Sequence, residues 1–159
     1  MIRGIGVDTV DISRFGRQLE RTPTLRARLF APGERDLPLA SLAARFAAKE
    51  ALIKALGGSG RLGWHDLEVV RDEDRAPSFA PTPALAAALA ERGADRAHLS
   101  MTHDAGVATA FVIVESAGAA AASEGPASAR GAAMPEARST LASSPQPGLP
   151  AAEQGSETS

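Results

Sequence analysis

The chain has 159 residues, a net charge of −2 and no cysteine. That length suits one domain with a real core and is short for two. The missing cysteines exclude disulfides and thiolate metal sites, and the small net charge argues against a general nucleic-acid binder. The N-terminal Met1-Ile2-Arg3-Gly4 lacks the apolar run of a signal peptide, and no stretch approaches the roughly 18 apolar residues of a membrane span. A cytoplasmic protein with no membrane or nucleic-acid partner is expected.

In chain order, Ile2 to Val7 alternates as a short strand, with Ile2, Gly4, Gly6 and Asp8 on one face and Arg3, Ile5 and Val7 on the other. The two glycines leave space beside the Asp8 carboxylate, where a hydrated cation or a phosphate could sit. Asp8 and Asp11 read equally as ordinary acids preceding a helix. That helix is predicted from Asp11 to Glu20, with Ile12, Phe15 and Leu19 inward and Arg14, Arg17 and Arg21 as a separate stripe. Thr22-Pro23 ends it. From Arg14 to Arg35 there are six arginines against two glutamates, a basic segment on a nearly neutral chain. Such a segment suits a specific acidic partner, or is simply a solvated face.

A long helix is predicted from about Leu42 to Leu56, with Ser41 as N-cap and Gly57-Gly58 as the stop. Glu50 and Lys54 are four apart and share a face with Ala43 and Ala47. They form either a surface pair worth about 0.3–0.5 kcal/mol or one wall of a cleft for a metal-bound polyphosphate. Lys49 falls within the apolar arc, so it either snorkels or holds an anion. Gly57-Gly58-Ser59-Gly60 serves as a cap and turn, or lets backbone approach a phosphate closely.

Strands follow near Leu67 to Val70 and Ser78-Phe79, around a turn at Asp72-Glu73-Asp74. A third helix starts at Thr82-Pro83 and stops at Gly93. Strands His98 to Thr102 and Val107 to Val114 are joined at His103-Asp104-Ala105-Gly106, which leaves His103 at a strand end. The three histidines lack zinc-type spacing. Because strands and helices do not alternate strictly, the expected fold class is α+β, with a mostly antiparallel sheet packed against the long helix. Residues 117 to 159 draw 30 of 43 positions from Ala, Gly, Ser and Pro. They are expected to be a disordered tail, with the working domain at residues 1 to 116.

Taken in order, three blocks resemble the motifs of holo-acyl-carrier-protein synthases. They are Gly4-Ile5-Gly6-Val7-Asp8, then Arg45-Phe46-Ala47-Ala48-Lys49-Glu50-Ala51 running to Lys54-Ala55-Leu56-Gly57, and Ser100-Met101-Thr102-His103-Asp104. The resemblance spans residues 1 to about 115 and implies a phosphopantetheinyl-transferase-like fold and activity. By that likeness Asp8 and Glu50 would hold Mg²⁺ and Lys54 would neutralise charge on the departing bisphosphate. The proton of the carrier-protein serine would pass to Glu50 or to a metal-bound water. Arg45 and His103 would contact the phosphates of coenzyme A, with Gly57 and Gly58 lining its site. Arg14, Arg17 and Arg21 would dock an acidic helix of the acyl carrier protein. A chain carrying one such half is expected to form a homotrimer with sites at its subunit interfaces.

Two departures stand out: Gly33 to Ser41 is shorter than usual for the family, and Thr9 replaces an aliphatic residue. A Mg²⁺-dependent nucleotide hydrolase using Asp8, Glu50 and Lys54 is a competing reading. A small interaction protein whose arginine helix binds an acidic partner is another.

Overall fold

The computed structural model describes residues 1–118. The composition-based expectation for the tail therefore lies almost wholly outside the described residues. The first strand, β1 (Ile2–Asp11), runs four residues further than its alternation predicts. It pairs antiparallel with β5 (Val107–Glu115), which in turn pairs antiparallel with β4 (Arg96–Asp104), giving a three-stranded sheet of order β1-β5-β4. β4 and β5 are joined by the two-residue turn Ala105-Gly106, both at positive φ, as a tight hairpin requires. A short ribbon of β2 (Val69–Arg71) and β3 (Pro77–Phe79) lies beside β4.

One face of the sheet is covered by α3 (Leu39–Leu56). Gly6 and Val10 of β1 and Ala108, Ala110, Val112 and Val114 of β5 are buried against it. The helix buries Leu42, Ala43, Ala44, Ala47, Ala48, Ala51, Leu52 and Ala55, so it is apolar on nearly every side and encased rather than amphipathic. It begins three residues earlier than predicted. Pro38 precedes its first turn, and Ser41 is an interior residue rather than the cap. A proline there loses nothing, because the first N–H groups of a helix have no intrahelical acceptor. The other end follows expectation: Gly57 stands at φ 78° and closes the helix, its N–H donating to the Lys54 carbonyl at 3.1 Å.

Over α3 lie α1 (Ile12–Arg21) and α2 (Pro23–Leu29), the second of which the sequence reading did not anticipate. Thr22-Pro23 does end α1, but Pro23 then serves as the first residue of α2. Phe15 joins the layers, stacked on Phe46 at 5.1 Å and edge-on to Phe30 at 6.2 Å. Trp64, in the short 3₁₀ helix Trp64–Leu67, extends the cluster at 5.6 Å from Phe46. Helix α4 (Pro83–Glu91) is capped as predicted, the Thr82 hydroxyl accepting from the Leu85 N–H at 3.1 Å.

Under this layer a buried ion pair ties the Pro32–Glu34 turn to α3. The fully buried Lys49 ammonium donates to Glu34 Oε2 at 2.6 Å, to the Leu29 carbonyl at 2.8 Å and to the Trp64 carbonyl at 3.1 Å. Glu34 also accepts from the N–H groups of Ala31 and Val69. Lys49 therefore does not snorkel; the anion it holds is Glu34. Burial lowers the lysine's pKa, and the hydrogen bond and charge of Glu34 oppose that. Thr9 faces the open side of the sheet and hydrogen-bonds Thr109 on β5 at 3.2 Å, which explains a hydroxyl at that position.

Candidate active site

The site begins with how closely β1 approaches α3. A Cβ at Gly4 would collide with the Ala55 carbonyl oxygen, and one at Gly6 with the Ala51 carbonyl oxygen. The space expected beside Asp8 is thus filled by helix backbone, and the glycines serve close packing rather than a ligand. That approach brings Asp8 to Glu50 and Lys54, which flank the alanine stripe of α3. Lys54 Nζ donates to Asp8 Oδ1 at 2.6 Å and to the Val7 carbonyl at 3.1 Å.

Asp8 and Glu50 line one cleft of ≈240 Å³ together with Thr9, Val10, Asp11, Arg14, Phe15, Gln18 and Phe46. Asp8 lies within a strand rather than at a helix N-terminus. Asp11 is the residue that caps α1, accepting from the Arg14 N–H at 2.7 Å. Burial raises the pKa of Glu50, the Asp8 charge raises it further, and Lys54 partly opposes both. Two carboxylates that repel each other in a concave, partly buried site suit a hard divalent cation, and Mg²⁺ is commonly held by one or two protein carboxylates plus substrate phosphates. Among the described residues no larger group of metal-ligating side chains is gathered.

A second cleft adjoins the first. It measures ≈420 Å³ and is lined by Phe15, Gln18, Arg21, Thr22, Leu25, Arg28, Leu29, Phe46 and Trp64, sharing Phe15, Gln18 and Phe46 with the first. Of the predicted arginine stripe, all exposed, Arg14 thus reaches the carboxylate cleft and Arg21 its apolar neighbour, while Arg17 lines neither. Arg26 and Arg35 spend donors on backbone carbonyls near the end of α2, so part of the basic segment is structural.

Gly57 and Gly58 line a third, larger cleft of ≈510 Å³ with Arg61, Leu62, residues of α4 and Arg92 just after it. Arg45 and His103 meet in a fourth of ≈220 Å³, with Ser41, Ala44, Arg71, Met101 and Thr102. The expected coenzyme-binding set therefore divides in a single chain: Arg45 with His103 at one place, Gly57 with Gly58 at another. Sequence reasoning missed Gln18, Glu34 and Arg71, whereas Asp11 has the helix-preceding place it was read to have. Only Glu34 had a signal, in the apolar-arc lysine that needed a partner.

Comparison with known proteins gives the family. Residues 4–112 match the family model described as the 4'-phosphopantetheinyl transferase superfamily. A holo-[acyl-carrier-protein] synthase of Clavibacter sepedonicus is 66% identical over 119 residues, covering 75% of this chain and 100% of that protein. Among solved structures, the holo-[acyl-carrier-protein] synthase of Neisseria meningitidis is 35% identical with a TM-score of 0.66, over 72% of this chain and 99% of the other. The Helicobacter pylori enzyme, solved in complex with coenzyme A, is 30% identical with a TM-score of 0.62, over 70% and 99%. With the family motifs on one strand, one helix and one hairpin, and the match spanning well over half its length, the chain belongs to the 4'-phosphopantetheinyl transferase superfamily.

Proposed function

We infer that this protein transfers the 4'-phosphopantetheine group of coenzyme A to a serine of apo-acyl carrier protein, giving holo-acyl carrier protein and adenosine 3',5'-bisphosphate. The observation that carries the reading is the meeting of Asp8, Glu50 and Lys54, from a strand and a helix more than forty residues apart, at the edge of one open cleft. Family membership and the names of relatives over their whole length support the same reaction. Nothing specific favours the hydrolase or the pure interaction protein.

In this reading Asp8 and Glu50 would hold Mg²⁺, which when bound supplies positive charge against the diphosphate. Glu50, with its pKa raised, is suited to take the serine proton as the serine oxygen bonds to the β-phosphorus. The bond from that phosphorus to the bridging oxygen then breaks, and the electron pair leaves on the bisphosphate. Lys54 carries its charge on a half-exposed side chain anchored at Asp8, placed to offset that negative charge. Gly57, Gly58, Arg45 and His103 would bind the coenzyme. Arg14, Arg17 and Arg21 would face the acidic carrier, beside the apolar cleft.

The division of the coenzyme residues between separate clefts supports a site shared among subunits, in a homotrimer. The open face of the sheet supports it too: Ile5, Val7 and Phe111 are each about half exposed there, a contiguous apolar surface of the kind that marks an interface. A cytoplasmic setting accords with a cysteine-free chain.

The test is incubation with apo-carrier protein, coenzyme A and Mg²⁺, followed by mass spectrometry of the carrier. A phosphopantetheine adduct on serine that disappears when metal is omitted is expected. Release of nucleotide from coenzyme A without any carrier protein would overturn the reading in favour of a hydrolase.

A further inference from the structure

The fourth cleft contains a cation that no family motif singles out. Arg71, the last residue of β2, lines it with Arg45 from α3 and His103 from the end of β4. Among the described residues no carboxylate lines this cleft. The acid behind it, Glu34, stands 3.8 Å from Arg45 Nε, but its oxygens already accept from Lys49 and from two backbone N–H groups. The Arg45 side chain is 8% exposed, and its Nε is buried without a hydrogen-bond partner among the described residues. Arg71 makes no ion pair among the described residues.

Two guanidinium groups held close without an acid between them repel each other. A phosphate group relieves that repulsion, because it accepts the fork of a guanidinium and offers several oxygens at once. Ser41 lines the same cleft, and its hydroxyl is a neutral donor.

We propose that Arg71 is a third binding residue for the nucleotide phosphates of coenzyme A, acting with Arg45 and His103. The proposal rests on the transferase reading above. Arg71 is exposed and takes part in the fold through its backbone, opposite Pro77 in the β2–β3 ribbon. Replacing its side chain should therefore leave the domain folded, so the effect can be read in binding.

The experiment is calorimetric titration of the full chain and of its Arg71→Ala, Arg71→Lys and Arg71→Glu variants with coenzyme A and with adenosine 3',5'-bisphosphate. Steady-state transfer kinetics are measured alongside. Arg71→Ala is expected to weaken both ligands about tenfold, the scale of one charge-assisted contact, and to raise KM for coenzyme A with kcat changed by less than about twofold. Arg71→Lys should recover part of the loss, and Arg71→Glu should bind more weakly than Arg71→Ala. Unchanged affinity in Arg71→Ala, beside a wild type that binds and transfers, overturns the proposal and leaves the transferase reading intact. A rise in KM for the carrier protein alone also overturns it, by moving Arg71 to the docking surface. Failure of the wild type to bind either nucleotide sinks both.

Discussion

Gly6 of β1 lies directly against the Ala51 carbonyl of α3, so close that a single added methyl group would collide with that oxygen. The contact is backbone to backbone and no rotamer change can relieve it. It sets how near the strand comes to the helix, and through that whether Asp8 reaches Lys54 and the cleft that Glu50 lines. Gly6→Ala is expected to destabilise the domain by about 3 kcal/mol, the upper range for overpacking a core. Chemical denaturation checks this. A midpoint within error of wild type would mean that the strand can move away freely.

Glu50 links stability to function with opposite signs. Its pKa is raised in the folded state, so the folded protein holds a proton that the unfolded chain would release. The cost of ionising it appears as pH rises from its unfolded to its folded pKa, and below that window the cost is absent. Glu50→Gln should therefore unfold no more easily than wild type at neutral pH while losing the transfer reaction. Because metal binding needs the ionised carboxylate, Mg²⁺ affinity should fall as pH drops through the raised pKa. Asp8→Asn, which removes one source of the shift, should lower the pKa of Glu50 in a carboxyl NMR titration.

The Lys49–Glu34 pair is fully buried, and each partner satisfies the other. Removing one partner leaves an uncompensated buried charge, for which about 3–5 kcal/mol is the usual cost. Glu34→Ala should lose that amount in denaturant unfolding. Replacing both residues by apolar ones of similar volume should recover much of it, which separates a charge effect from simple loss of packing.

Arg75 sits at φ 64° in the turn between β2 and β3, a left-handed conformation that costs an L-residue about 1–2 kcal/mol. Glycine adopts it without that strain. Arg75→Gly is expected to stabilise the domain by about 0.5–1 kcal/mol after the added freedom of the unfolded chain is counted. Thermal unfolding reads the difference, and a lower midpoint would contradict it.

The apolar outer face of the sheet makes assembly testable. Phe111→Glu places a charge in the centre of that face, where Val7 is the cross-strand neighbour. Light scattering is expected to show a trimer for wild type and a monomer for the variant, and the monomer should transfer little or nothing. Full activity in a proven monomer would remove the shared-site account.

Local signals in the chain were enough for most elements. Helix α4 follows from Thr82-Pro83 and Gly93, the end of α3 from Gly57-Gly58, and the β4–β5 hairpin from alternation around a glycine turn. Helix α2 was missed because a Thr-Pro step reads as a break, yet proline is equally at home in a first helical turn. Ser41 was misjudged for a related reason: capping preference is local, and packing of Leu42 and its neighbours carried the helix one turn further back. The grouping of Asp8 with Glu50 and Lys54 was legible through motif context, whereas Glu34 and Arg71 had no short-range pattern to mark them.

The sequence by itself determined the class of fold, the positions of the motifs and the residue types available for chemistry, because periodicity, caps and turn residues act over a few positions. Only the tertiary structure decided which charges meet. It turned Gly4 and Gly6 from an imagined ligand space into a helix contact, gave Lys49 to Glu34, gave Lys54 to Asp8, and set Arg71 beside Arg45. Those pairings join residues 15 to 46 positions apart or lie between separate elements, and close packing rather than local preference selects them.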